Sequence, residues 1–139
     1  MIEIPAITLW RPWAMFIALR WKTVETRLHN RFAGLAGQRI AIHAGQTWDT
    51  RWFEAAGPYL TPQQIDQVHA FREIRSAVVA VATVAKVGPC AFRDSQAALI
   101  ECYRTPRYGL WLADIEKLAR PLFTKGHQGI WSFNLLEAT

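Results

Sequence analysis

Three short stretches of this 139-residue chain carry side chains able to do chemistry, and one of them sets a carboxylate between two cations. That stretch is Lys22-Thr-Val-Glu25-Thr-Arg27. In an extended strand side chains alternate, so Glu25 and Arg27 share a face roughly 7 Å apart while Lys22 falls on the other. Lys22 joins them only if the chain turns at residues 21 to 23. Brought together, the three could grip a polar nucleobase edge or a phosphate, and Arg27 nearby would lower the pKa of Lys22 and bias it toward a base. If the protein is an enzyme, Lys22 and Glu25 are its catalytic candidates. The plainer alternative is a solvated strand with an ordinary ion pair.

The second stretch, Thr8-Leu-Trp10-Arg11-Pro12-Trp13, is a strand end running into a helix start. Unpaired amides at a helix start attract anions, and Trp10 or Trp13 could stack a base there, with Arg11 as a further ligand contact. Either Trp could instead fill the core. In the third, Lys125-Gly-His-Gln128-Gly-Ile-Trp131, two glycines let backbone approach a ligand while Gln128 offers a donor and an acceptor. Its bland alternative is turn chemistry before a strand. His43, on an alternating segment, is either a general base, a base contact or a satisfied structural histidine.

Other chemistries lack their residues. No phosphate-binding P-loop, dinucleotide fingerprint, nucleophile elbow or zinc-protease motif occurs. Two cysteines make no disulfide framework and four histidines lack ligand spacing, so neither a metal nor a cofactor is expected. Cys90 follows Gly88-Pro89 with nothing beside it that marks a nucleophile.

The elements that must position these residues can be read from pattern. Residues 4 to 9 form a strand, and Pro12 opens a helix showing Trp13, Phe16, Ile17 and Arg20 at helical spacing. A strand over 22 to 27 and a loop over 28 to 38 follow. Arg39 to Ala44 alternates as a half-buried strand closed by Gly45, and Thr47 caps a helix over 48 to 56. Thr61-Pro-Gln-Gln64 resembles a capping box opening a helix to about Phe71. Ser76 to Val87, rich in Val and Ala without alternation, is a central strand covered on both faces. A helix over about 94 to 103, a strand from Tyr108, an ordered loop over 116 to 128 and a strand over Gly129 to Leu135 complete the chain. The expected fold is α+β, a small mixed β-barrel with flanking helices in one domain over 1–139.

Composition agrees. A 51% hydrophobic share excludes disorder, and no run nears the ~18 apolar residues of a membrane span, so no membrane partner is expected. The start reads as a strand rather than a secretion signal, which sets a cytoplasmic expectation. The net charge is +5, spread along both halves, and twelve of the sixteen cations are Arg, whose planar fork suits phosphate and stacks on bases. RNA, another single-stranded nucleic acid or a modified nucleoside is the expected partner class.

Together, Ile7-Thr-Leu-Trp-Arg-Pro-Trp-Ala, Lys22-Thr-Val-Glu-Thr-Arg and Lys125-Gly-His-Gln-Gly-Ile-Trp resemble the ASCH (activating signal cointegrator homology) domain of the PUA-like superfamily. Ala41-Ile-His-Ala-Gly and the Val/Ala strand extend the likeness over nearly the whole chain. The resemblance implies a PUA-like barrel with a cleft for RNA or a modified nucleobase, walled by Lys22, Glu25, Arg27, the Trp10–Trp13 helix start and Lys125–Gln128. It also implies two metal-independent hydrolase alternatives, an amidohydrolase of acetylated cytidine and a ribonuclease. The amidohydrolase type has Thr at the third position after its Lys and a catalytic Glu later in the chain. Here that position is Glu25, and Asp94 and Glu101 are the later acids. A third alternative is a non-catalytic protein-interaction adapter using Trp48, Trp52 and Trp111.

Overall fold

Ala77–Pro89 lacks alternation because it stands inside the sheet, as strand β4, with residues buried on both faces from Ala77 to Ala82. In the computed structural model, which describes residues 2–135, β4 pairs antiparallel with β3 (Arg39–Trp48) and with β5 (Tyr108–Phe123). β1 (Glu3–Arg11) runs parallel to β3, β6 (Trp131–Asn134) antiparallel to β1, and β2 (Val24–Arg27) antiparallel to β5. The order is β2-β5-β4-β3-β1-β6. With the four short helices α1 (Trp13–Ala18), α2 (Trp52–Ala56), α3 (Pro62–Gln67) and α4 (Ser95–Ala98), the fold is mixed α+β.

Among the described residues the sheet does not close into the small mixed β-barrel expected from the sequence. β2 and β6 end the six-stranded sheet, and among the described residues no ladder joins β1 to β2. β2 is only four residues long and leaves the sheet after Arg27. Its residues Glu25 to Arg27 nevertheless line the same depression as Thr8 to Trp10 of β1, so the unpaired seam is a cleft.

Helix α1 covers one face of the sheet. Its Phe16 and Ile17 are fully enclosed, and the ring of Phe16 meets Trp13, Trp21, Trp52 and Phe71 with centroids 5.5–6.5 Å apart. Each such enclosed side chain contributes about 1.5–3 kcal/mol relative to exposure. Ile40, Ile42 and Ala44 face that core, whereas Ala41 faces a smaller cluster with Val78 and Phe133. β3 is therefore buried on both faces rather than half-buried, and it continues past Gly45 to Trp48.

The cap of α3 is a capping box: Gln64 N–H donates to Thr61 Oγ1 at 3.1 Å and Thr61 N–H to Gln64 Oε1 at 2.9 Å. Thr47 caps nothing, because β3 claims it; Asp49 takes the Arg51 N–H at 2.9 Å before α2 instead. α4 is shorter than expected, stopped by Leu99 in the left-handed region at φ 55°. β5 takes in residues expected as loop. Pro121 is tolerated there because β2 pairs only with residues 108 to 111, and the β4 register shifts between Val78 and Ala80 absorb the proline as a bulge.

Candidate functional site

The turn that Lys22 needs is supplied by α1. Past its last residue, the N–H groups of Trp21 and Lys22 both donate to Phe16 O, at 2.9 and 3.1 Å, and Arg20 takes a left-handed φ of 63°. Lys22 thus sits outside β2, and its side chain enters the hollow that Glu25 faces. Its Nζ donates to Ala98 O at 2.5 Å, lies 3.6 Å from Glu25 Oε1, and is 5.1 Å from the Trp13 ring centre. Glu25 Oε2 is 3.2 Å from Arg27 Nε, and the Arg27 guanidinium lies 4.9 Å over the Phe32 ring. The side chains of Lys22 and Glu25 are 2% and 9% exposed.

Burial holds the Lys22 pKa below its ordinary value, with Glu25 pulling it back up and Arg107 adding to the fall. Arg27, expected to depress it, is not the arginine responsible. The cavity around this trio measures about 270 Å³, and Trp13, Thr26 and Arg107 complete much of its wall. Trp13 is fixed by its Nε1–H donating to Asp49 Oδ2 at 2.8 Å.

A wider groove of about 1210 Å³ adjoins it, lined among others by Arg31, Lys125 and Gln128. Thr8, Trp10 and Arg27 line both spaces, and Trp10 is 58% exposed between them. Under the groove, Trp131 Nε1–H donates to Thr8 Oγ1 at 3.0 Å. Because the Thr124 carbonyl can only accept, His43 Nε2 carries the hydrogen of the neutral ring and donates to it at 2.7 Å. His43 Nδ1 is then the acceptor, and the Thr8 hydroxyl gives it its proton at 3.1 Å. Gly126 lies against this chain: a Cβ there would stand 2.5 Å from His43 Cε1 and 2.6 Å from Thr8 Oγ1.

No family model matches the chain, and no curated protein does either. Among solved structures, ASCH from Zymomonas mobilis aligns at a TM-score of 0.59 and 16% identity, covering 96% of this chain and 89% of that one. A serine-to-alanine mutant of it aligns at 0.57 with the same coverage, and a tyrosine-to-phenylalanine mutant at 0.57 over 96% and 91%, both at 16% identity. This chain has the ASCH fold. At such identity the likeness speaks for architecture, and it agrees with the ASCH resemblance of the three motifs.

On the ASCH fold, the motif residues separate into two groups. Lys22, Glu25, Arg27, Trp10 and Trp13 meet at the small cavity, while Lys125 and Gln128 stand on the groove. Arg11 joins neither. It is buried, with Nη1 donating to Arg72 O at 2.6 Å and Nη2 to Gln46 O at 2.7 Å. The helix start offers little to an anion, since the Met15 and Phe16 amides already donate to Pro12 O. His43 is 1% exposed with both ring nitrogens bonded, and burial holds its pKa below the usual histidine value, so it is neutral and occupied.

Neither later acid reaches the cavity: Asp94 accepts the Ala91 N–H at 2.8 Å and Glu101 pairs with Arg104 at 3.2 Å. Arg107 is the cavity residue that sequence reasoning missed. It comes to Arg27 through the register that sets Arg27 opposite Tyr108, and no spacing along the chain announces that pairing. Among the described residues no group of His, Cys, Asp and Glu could hold a metal ion, and no helix is long and apolar enough to cross a membrane.

Proposed function

We propose that this ASCH-fold domain binds single-stranded RNA, taking one base of a common or modified nucleoside into the small cavity and its neighbours along the groove. The observation that supports this is the recess itself: Lys22, Glu25 and Arg27 converge beside Trp13, and the recess opens past an exposed Trp10 onto a groove carrying Arg31 and Lys125. About 270 Å³ suits one base rather than a polymer, whereas the groove has room for several nucleotides. Glu25 would accept from the base edge, Trp10 would stack a neighbouring base, and the cations would hold phosphates. An adapter reading loses ground, because Trp48, Trp52 and Trp111 are half-buried: Trp48 lies 4.3 Å from the Arg72 guanidinium and Trp111 4.3 Å from Lys86 Nζ.

The test is binding of short single-stranded RNA across a salt series. The logarithm of the affinity falls linearly with the logarithm of salt concentration, and Trp10→Ala weakens binding about tenfold with the melting temperature unchanged. A flat salt response or unaltered Trp10→Ala binding refutes the proposal.

One observation favours a hydrolase as second reading: Lys22 is a buried amine whose pKa burial depresses, beside a carboxylate. Lys22 or Glu25 would then deprotonate a water, or a ribose 2′-hydroxyl, while Arg27 held the developing negative charge. Lys22→Met should abolish turnover of RNA or acetylcytidine while binding persists. Turnover that survives removes this reading.

A further inference from the structure

Arg107 is the cavity's unspent cation. Its Nε is shut off from solvent with nothing to donate to, and so is Nη2 of Arg27 on the same wall. The acids of that wall are already engaged. Glu25 is shared between Lys22 and Arg27, and the two oxygens of Asp49 accept from Trp13 and from the Arg51 backbone. Among the described residues no acceptor stands within hydrogen-bond reach of Arg107 Nε. A buried guanidinium N–H without an acceptor is costly, and both of these guanidinium groups belong to residues lining one cavity whose acids are taken, where an oxyanion with several acceptor oxygens would serve the two together. The planar fork of arginine matches phosphate oxygens in a way that the point charge of Lys22 cannot.

We propose that Arg107 and Arg27 form a phosphoryl clamp, so that the cavity takes a nucleotide with its phosphate on the two guanidinium groups rather than a bare nucleoside. This names the ligand class of the proposed RNA site and rests on that reading for the base, though not for the phosphate. It also moves the anion site away from the helix start and off Lys22, which is held by Ala98 O. Glu25 keeps the role proposed for it toward the base edge.

The experiment titrates wild type, Arg107→Gln and Arg107→Lys with each common ribonucleoside, with its 5′-monophosphate and with inorganic phosphate, reading calorimetric affinity and melting temperature. In the wild type each monophosphate binds about tenfold or more tightly than its nucleoside. Arg107→Gln lowers the monophosphate to the affinity of the nucleoside and leaves the nucleoside unchanged. Arg107→Lys keeps the charge without the fork and retains only part of the preference. Arg107 has no partner to lose, so Arg107→Gln melts where wild type does, and a variant that fails to fold overturns the clamp.

Equal binding of nucleoside and nucleotide by wild type overturns it too, as does an Arg107→Gln loss shared by both. Inorganic phosphate that raises the melting temperature of wild type but not of Arg107→Gln upholds the clamp even where no nucleoside or RNA binds. In that event the nucleic-acid reading alone falls, which keeps the two failures distinct.

Discussion

The floor of the groove and the wall of the small cavity are both polar and both half-hidden, yet they are built on opposite accounts of their hydrogen bonds. In the floor every proton has a destination: Trp131 to Thr8, Thr8 to His43, His43 to Thr124. In the wall, two guanidinium nitrogens have none, and one carboxylate is divided between two cations. A closed polar chain fixes shape, because any change leaves a buried group unpaired. An open one is reactive toward whatever enters. The difference teaches which polar residues of a cleft are scaffold and which are available, a distinction that residue type alone does not make.

The contrast breaks hardest at Glu25. Glu25→Ala leaves Lys22 a buried charge without its counter-ion and should cost about 3 kcal/mol in chemical denaturation at pH 7. The deficit shrinks as pH rises. Lys22 in the fold already releases its proton below 10.5, and without Glu25 it does so lower still, so the unfolded chain holds more protons and stability climbs with pH through that window. A deficit independent of pH would show that Lys22 is not the group left stranded.

Next in size is the floor. Gly126→Ala drives a methyl into His43 and Thr8 and should destabilise by about 2 kcal/mol, read by denaturant melts, whereas Gly34→Ala, with open space around it, should leave the midpoint unmoved. Equal effects at the two glycines would mean that the floor is loose.

The smallest effect sharpens the assignment of His43 as neutral scaffold. Its pKa is depressed, so stability is full above 6.5, the unperturbed value, and is lost as pH falls below it toward the folded pKa. Melting should drop by about 3 °C across that range in wild type and by less in His43→Gln, whose absolute stability is lower throughout. An identical acid slope in both proteins would assign the loss elsewhere.

What could be read in the sequence follows from range of interaction. The capping box at Thr61 and the unalternating run of β4 are local or compositional signals, and both appear in the structure. The convergence of Lys22 with Glu25 was legible only as a choice between turning and not turning, because the turn depends on Phe16 O accepting the amides five and six residues further along. Whether the sheet closes depends on which edges find each other, and nothing in Val24–Arg27 encodes the missing partner. Pro121 misled for a physical reason: a residue that cannot donate reads as loop until one knows that the neighbouring edge is vacant and a bulge is present. Arg107 was invisible because its importance is a matter of register, and the burial of Arg11 because its acceptors are carbonyls, which every residue has.

The seam between the first strand and the second carries no backbone bonds of its own. A guest lodged there would touch Thr8 and Trp10 on one bank and Glu25 and Arg27 on the other, bridging the banks of a sheet that does not bridge itself. Heat would have to expel the guest before those banks could drift apart. The thermal endurance of the domain would then rise with the logarithm of free guest concentration, making occupancy a structural tie as well as a recognition event.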